Sequence, residues 1–273
     1  MNAEYEYFFS VITVCYNAES SIEKTIKSVL SQNNDDYEYL IIDGKSNDQT
    51  VAIAQKYHEK FCGRMRIVSE TDQGIYDAMN KAIQMSKGHY LVFINADDEL
   101  CEGVLNKIEA EIAGKNEAWP EIIYGDCLLI YENDDRISGK IRNAVHPINR
   151  KTLMKGMGLM HQSMFTSRKV FAHVGMFNIK YTIGADWDFL IRAVTSHVSL
   201  YYMPIPFSKF ATDGVSSKVH NLQRHKIRKQ NKLYRYIDTG LIRDIFHMKT
   251  MIQLIIGRNN YQKLRFFINK KGY

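Results

Sequence analysis

At 273 residues, 45% hydrophobic and 24% charged, the chain has the composition of a soluble globular protein, either one large domain or a domain with an appendage. No run approaches the roughly 18 apolar residues of a membrane span, the polar start Met1–Glu6 does not read as a signal peptide, and the scattered Cys15, Cys62, Cys101 and Cys127, without CxxC or metal spacing, point to buried thiols in a reducing cytoplasm. The net charge of +6 is uneven, because Asn221–Tyr273 holds thirteen Lys/Arg against Asp238 and Asp244, a +11 tail suited to polyanions on a body of −5.

The first hundred residues alternate strand and helix patterns. Phe8–Val14 reads as a strand, followed by a helix through Ile22, Ile26, Val29 and Leu30 that Ser20 or Ser21 can cap. Tyr39–Ile42 is a second buried strand ending at Asp43-Gly44, and Asp48 is placed to cap a helix through Val51, Ile53, Ala54 and Tyr57. Arg66–Val68 reads as a strand, Ile75–Met85 as a helix and His89–Ile94 as a strand. Continuous apolar strands between amphipathic helices predict a parallel sheet covered on both faces, with ligands at the carboxyl ends of the strands. Asp43, Glu70/Asp72 and Asp97/Asp98 all fall on that edge. Further on, Ile122–Ile130 reads as a strand, Tyr131–Asn149 as a hairpin or loop, Ala185–Thr195 as a helix, Val198–Met203 as a strand and Asp213–Ser217 as a loop. The basic tail reads as two or three helical pieces around Thr239-Gly240 and Gly257–Asn260.

Asn95-Ala96-Asp97-Asp98 closes the apolar run His89–Ile94. Adjacent carboxylates at a strand mouth repel and lose hydration, and a divalent cation bridging to a phosphate offsets that cost. The alternative is a solvated turn in which Asp98 caps a helix starting near Cys101.

Taken together, Val11–Asn17, Asp43–Thr50, Ser69–Lys81, Asn95–Asp98 and Gly184–Asp188 resemble the family 2 glycosyltransferases, over roughly residues 8–217. The resemblance implies a GT-A fold: a nucleotide-binding, doubly wound, mostly parallel α/β sheet with helices on both faces, here with a C-terminal helical appendage. A catalytic domain over 1–217 is expected, its nucleotide-sugar half about 1–103 and acceptor half about 104–217, followed by a basic helical extension over 218–273.

For the donor, a base needs a flat slot and a hydrogen-bond partner. Thr13, Tyr16 and Asn17 supply the turn after the first strand, and Asp43 is able to accept from a uracil-type N–H, a contact the family makes at this position. The alternative for Asp43 is a strand-ending turn, with Ser46 and Asp48 as caps. The resemblance puts Asp72 and Lys81 near the nucleotide or its phosphates, with a solvated helix face as the alternative for Lys81. It makes Asn95-Ala96-Asp97-Asp98 the DxD-type motif, with Asn95 on the ribose, Asp97 as ligand of Mn²⁺ or Mg²⁺ and Asp98 as a supporting carboxylate. Asparagine stands at Asn95 where the family usually has aspartate.

Displacing a nucleoside diphosphate with inversion needs a base for the acceptor hydroxyl. The family pattern selects Asp186, although Ala185 replaces the usual glutamate; Trp187 flanks it, and Asp188 is expected to pair with Arg192 at i,i+4. His161 and Gln162 fall in the segment that members place beneath the acceptor, where His161 is either structural or in contact with substrate. His220 is a weaker candidate for the cation or diphosphate.

The expected reaction is inverting, metal-assisted transfer of a hexosyl or N-acetylhexosaminyl group, from a UDP-sugar in preference to other donors. The expected acceptor is a hydroxyl of a glycan or a polyprenyl-diphosphate-linked glycan in surface-polysaccharide assembly. Basic residues beside the apolar segment Phe246–Ile256 suggest peripheral contact with the inner face of an anionic membrane; packing on the body or in a homodimer is the alternative. The acidic body argues against nucleic acid. A nucleotidyltransferase would want a Gly-rich basic loop where Tyr16–Ser21 stands, and a dinucleotide dehydrogenase would want GxGxxG. A catalytically impaired, nucleotide-binding paralogue acting as a membrane-docked scaffold is the rival outside enzymes.

Overall fold

The structure is a computed structural model that describes residues 5–114, 118–133, 136–211 and 221–233. The tail positions singled out above beyond residue 233, together with Asp213–Ser217 and His220, lie outside the described residues.

Strand β1 (Tyr7–Cys15) pairs in parallel with β2 (Tyr37–Asp43) and with β4 (Gly88–Phe93), and β2 pairs in parallel with β3 (Met65–Ser69). From Phe9 to Cys15 and along all of β2 every residue is buried, so both faces of the sheet are covered, as unbroken Val/Ile/Tyr runs require. The connecting helices are α1 (Ile22–Leu30), α2 (Thr50–Gln55) and α3 (Ile75–Met85). All four strands end on one edge, at Cys15, Asp43, Ser69 and Phe93. The site loops leave from these ends.

Beyond β4 the sheet becomes mixed. Its order is β3-β2-β1-β4-β8-β6-β9-β5, with β7 hairpinned onto β6. The remaining strands are β5 (Glu99–Leu100), β6 (Ile122–Asn133), β7 (Arg136–Arg142), β8 (Met164–Ser167) and β9 (Leu200–Ala211). Helices α4 (Val104–Ala113), α5 (Arg150–Leu153), α6 (Arg168–Val174) and α7 (Ala185–Thr195) complete this half, and α8 spans Asn221–Gln230. Chain contacts divide the protein into two compact units, Met1–Ile227 and Arg228–Tyr273, where the sequence suggests a boundary after residue 217. No helix among the described residues is long and apolar enough to cross a membrane.

Several local expectations need correction. Ser21 sits at the start of α1, yet its backbone (φ −129°, ψ −28°) is not extended and its hydroxyl does not cap; it turns back toward the Ala18 carbonyl at 3.5 Å. The helix expected near Cys101 starts at Val104, behind Gly103 in the left-handed region (φ +63°), because Glu99–Leu100 is drawn off to pair with β9. Asp98 therefore caps nothing and is buried. The strand expected over Val198–Met203 runs on to Ala211 through Pro204 and Pro206. Prolines donate no ladder bond, and the register against β6 slips on both sides of Asp126. Gly125 makes the slip fit: a Cβ there would lie 2.6 Å from the Phe207 ring and 2.7 Å from the Ile205 carbonyl.

Candidate active site

The turn after β1 and the turn after β2 are stitched together. Asn17, in the left-handed region (φ +49°), donates its N–H to Ser46 Oγ at 2.8 Å and accepts the Asn47 N–H at 2.9 Å. Asp48 accepts the Thr50 N–H at 2.9 Å and the Glu19 N–H at 3.1 Å, but the N-cap position of α2 falls one residue later, on Gln49, whose side chain makes no cap, so the cap expected at Asp48 is displaced by one residue. Asp43 is fully buried between them. Its carboxylate accepts the Ser46 N–H at 3.0 Å, the Ser46 hydroxyl, the Ser69 hydroxyl at 2.6 Å and the Cys15 thiol at 3.7 Å. Burial and the Asp43 charge push the Cys15 thiol far up, so it stays protonated and can donate. Four donors fill the acceptor capacity of one carboxylate. Asp43 thus holds the turn, and a base N–H would reach it only if a serine hydroxyl rotated away.

A second carboxylate stands closer to open space. Asp72 accepts the Gly74 N–H through Oδ1 at 2.7 Å, and its Oδ2 lies over the bare Cα of Gly44. A Cβ on Gly44 would meet Asp72 Oδ2 at 2.6 Å and the Tyr16 ring at 3.5 Å. Tyr16 is 61% exposed, unusual for so large a ring. Tyr16, Gly44 and Asp72 together form a flat face with an acceptor beside it. Lys81 reaches back from α3 to Glu70 (2.9 Å), the Thr71 carbonyl (2.7 Å) and Asp77 (3.7 Å), and the Glu70 hydrogen bond raises its pKa. Its hydrogen bonds to Glu70 and to the Thr71 carbonyl are directed at the loop, so here it pins Glu70–Asp72 in place. Thr13 stands apart: it is fully buried, and its hydroxyl is 3.0 Å from that of Tyr39 in the core.

Past β4, the backbone of Asn95-Ala96-Asp97-Asp98 closes a turn through the Asp98 N–H and the Asn95 carbonyl at 3.0 Å. Ala96 is buried, and the side-chain oxygen of Asn95 is buried without a hydrogen-bond partner among the described residues. The two carboxylates point to different surroundings. Asp98, 1% exposed, accepts the Gln162 side-chain N–H at 2.6 Å and the Ala211 N–H at 3.1 Å. Burial, and then the Asp97 charge, push its pKa up to about 7. Asp97 is only partly buried and accepts no hydrogen bond among the described residues.

Asp186 lies in the first turn of α7, entered through Gly184 in the left-handed region (φ +90°). Its Oδ1 accepts the Tyr76 hydroxyl at 3.2 Å, and its Oδ2 is 3.5 Å from His161 Nδ1. Burial lowers the His161 pKa, while Asp186 and then Asp97 pull the other way. His161 Nε2 is buried without a hydrogen-bond partner among the described residues. His161 therefore stands in the electrostatic reach of both Asp97 and Asp186. Trp187 is buried on the helix. Asp188 pairs with Arg192 at 3.0 Å as expected, and Arg192 also donates to the carbonyls of Val174, Gly175 (3.0 Å) and Met176 (2.8 Å). That pair anchors the loop before the helix.

The family 2 glycosyl transferase profile matches residues 10–175, more than half of the chain. The chain belongs to this glycosyltransferase family. Asp186 and α7 lie beyond the matched span. Among relatives, a PGL/p-HBAD biosynthesis glycosyltransferase of Mycobacterium bovis (strain BCG / Pasteur 1173P2) is 31% identical over 188 residues, 69% of this chain and 70% of that one. Bacillus subtilis (strain 168) TuaG, named for teichuronic acid biosynthesis, is 40% identical over 99 residues, 36% of this chain and 39% of its own. Among solved structures, residues 1–349 of S. aureus TarS in complex with UDP-GlcNAc superpose with a TM-score of 0.67 at 14% identity, covering 85% of this chain and 68% of that one. The transferase spans 42% of the longer TarS chain. Mannosyltransferase PcManGT from Pyrobaculum calidifontis, in complex with GDP-Man and Mn²⁺, gives a TM-score of 0.56 at 16% identity, covering 76% of this chain and 57% of that one. These structures bear on the fold, which is GT-A as the motif order suggests.

Among the described residues of the transferase, no three His, Cys, Asp or Glu side chains converge on one point. Asp97, partly exposed and accepting no hydrogen bond among the described residues, fits a cation whose other ligands are donor phosphates and water.

The sequence reading missed Tyr76. Its signal was present, as a tyrosine two residues after the Gly74 turn, but an aromatic at the start of an amphipathic helix reads as core.

Proposed function

We propose that this transferase moves a hexosyl or N-acetylhexosaminyl group, with inversion, from a UDP-sugar to a hydroxyl of a glycan or lipid-linked glycan. The arrangement of Asp186 carries this reading. Its carboxylate is 18% exposed in a helix first turn, held on one oxygen by Tyr76 and facing His161 on the other. A positioned carboxylate of this kind can take the proton of an attacking hydroxyl. Tyr16 and Asp72 would hold the base, Asn95 the ribose and Asp97 a Mn²⁺ or Mg²⁺ ion. When bound, that ion would neutralise charge developing on the departing diphosphate. His161, neutral through burial, would border the acceptor hydroxyl without adding positive charge beside the base. The UDP-GlcNAc complex of TarS supports a uridine donor by analogy of fold. In our reading the +11 segment beyond residue 220 holds the enzyme on an anionic cytoplasmic membrane surface, near a polyprenyl-diphosphate-linked acceptor.

Isothermal titration of UDP with and without Mn²⁺, together with turnover of UDP-GlcNAc, UDP-glucose and UDP-galactose, tests the proposal. Tighter UDP binding with Mn²⁺, and an Asp186→Asn variant that binds UDP but does not turn over, are the expected results. Full turnover by that variant would remove Asp186 as the base.

A further inference from the structure

The hydroxyl of Tyr76 is placed to do something its ring does not need. Tyr76 is 9% exposed on α3, and its ring packs against Phe177 with centroids 5.8 Å apart, a contact phenylalanine would make equally well. The hydroxyl accepts the Gly184 N–H at 2.9 Å and lies 3.2 Å from Asp186 Oδ1. An N–H is only a donor, so the hydroxyl oxygen must accept from it. The single hydroxyl proton is then free to point at the carboxylate. The order is fixed: Gly184 N–H to Tyr76 Oη, and Tyr76 O–H to Asp186 Oδ1. The other carboxylate oxygen is left facing His161 at 3.5 Å.

The same helix carries the donor loop at its start. Gly74 (φ +115°) is tied to Asp72, and Gln73 donates its N–H to Asp77 at 3.0 Å. Two turns along, Asn80 exchanges hydrogen bonds with both backbone groups of Phe177, at 2.9 and 3.0 Å. Helix α3 is thus a bar fixed to the loop beside Tyr16 at one end and to the approach to α7 along its length.

We propose that Tyr76 is a positioning residue for the transfer step. It holds one oxygen of Asp186 so that the other faces the acceptor, and ties that orientation to the donor-binding loop. This rests on the reading of Asp186 as the base.

Tyr76→Phe keeps the ring and removes the proton donor. Release of UDP from UDP-GlcNAc, UDP-glucose and UDP-galactose is followed across pH, with UDP affinity measured by titration. The expected result is turnover about tenfold lower or more, because the carboxylate loses a charge-assisted hydrogen bond, with UDP affinity within about twofold of the parent. The acid limb should also move up by roughly one pH unit, because a carboxylate that loses a donated hydrogen bond holds its proton more tightly. A structural role alone would lower the melting temperature without moving that limb. If the phenylalanine chain does not fold, 3,5-difluorotyrosine installed at position 76 keeps the shape and makes the hydroxyl a stronger donor. The limb should then move to lower pH. A limb that stays at the parent position in the folded variant overturns the proposal. Asp186→Asn separates the two readings: if it turns over normally, the base assignment fails. If it is inactive while Tyr76→Phe matches the parent, the Tyr76 proposal fails by itself.

Discussion

Asp98 accepts the side-chain N–H of Gln162 at 2.6 Å, and this leaves the Gln162 carbonyl oxygen buried without a partner among the described residues. If Asp98 carries a proton, the amide can turn over so that its oxygen accepts from the acid. The Asp98 pKa, pushed up to about 7, agrees with that arrangement. In the unfolded chain an aspartate titrates near ~3.9, so between these values the folded state holds more protons and stability falls as pH rises. The loss is complete once pH passes the folded value. Asp98→Asn can accept from Ala211 and donate to the turned Gln162 amide. It is expected to remove most of the decline in stability between pH 5 and pH 8, an effect on the order of a few kcal/mol. Urea unfolding at several pH values, without divalent metal, checks this. A variant with the same decline as the parent would show that Asp98 is ionised in the fold.

The elements that the sequence revealed best are those with long apolar periodicity. Ile75–Met85 and Ala185–Thr195 have the same bounds in sequence and structure, since each has a glycine before it and a broad buried face. The parallel strands were legible for a similar reason, being apolar without interruption. The sequence pattern ends strand β9 at Met203 because Pro204 and Pro206 signal a stop, and only the pairing with β6 shows how a bulge absorbs them. In the site, residue type and motif order single out Asp97, Asp98 and Asp186 as candidates. They do not give the division of labour among neighbours. Thr13 and Lys81 have the right chemistry for a donor site, but Tyr39 and the Glu70–Asp72 loop engage them, and no local pattern encodes those partners.

Asp97 and Asp98 should separate cleanly in metal dependence. Asp97 accepts no hydrogen bond among the described residues, so Asp97→Asn is expected to leave the melting temperature within about 2 °C of the parent. It should abolish the Mn²⁺-dependent part of UDP binding. Asp98→Asn should retain that part. Titrating UDP into each variant with and without Mn²⁺ decides the matter, and a fully metal-responsive Asp97→Asn chain would place the cation elsewhere.

Asn80 is expected to be a stability residue. Its amide satisfies both the N–H and the carbonyl of Phe177, and a part-buried backbone pair left unsatisfied costs about 1–3 kcal/mol. Asn80→Ala should lower the urea midpoint accordingly. Asn80→Asp keeps the acceptor and loses the donor, so it should fall between Asn80→Ala and the parent. Equal midpoints for all three chains would mean that the Phe177 backbone finds other partners.

Gly44 gives the most direct test of the base-binding face. A methyl group there would lie 2.6 Å from Asp72 Oδ2, too close to coexist, and 3.5 Å from the Tyr16 ring, an ordinary contact. Gly44 is not in the left-handed region, so alanine brings no backbone strain. The atom that must move is the end of an aspartate side chain, and the core beneath is untouched. Gly44→Ala should therefore fold with a melting temperature near that of the parent. By displacing the Asp72 carboxylate and filling the space beside Tyr16, it should weaken UDP binding by about tenfold or more, equivalent to ~1.4 kcal/mol. Asp72→Asn keeps an oxygen at the same place while losing the charge, and should weaken binding less than Gly44→Ala. If Gly44→Ala binds UDP as tightly as the parent, the nucleotide does not rest on Tyr16 and Asp72. Asp43, freed by rotation of Ser46 or Ser69, would then be the acceptor to test, with Ser46→Ala expected to tighten UDP binding.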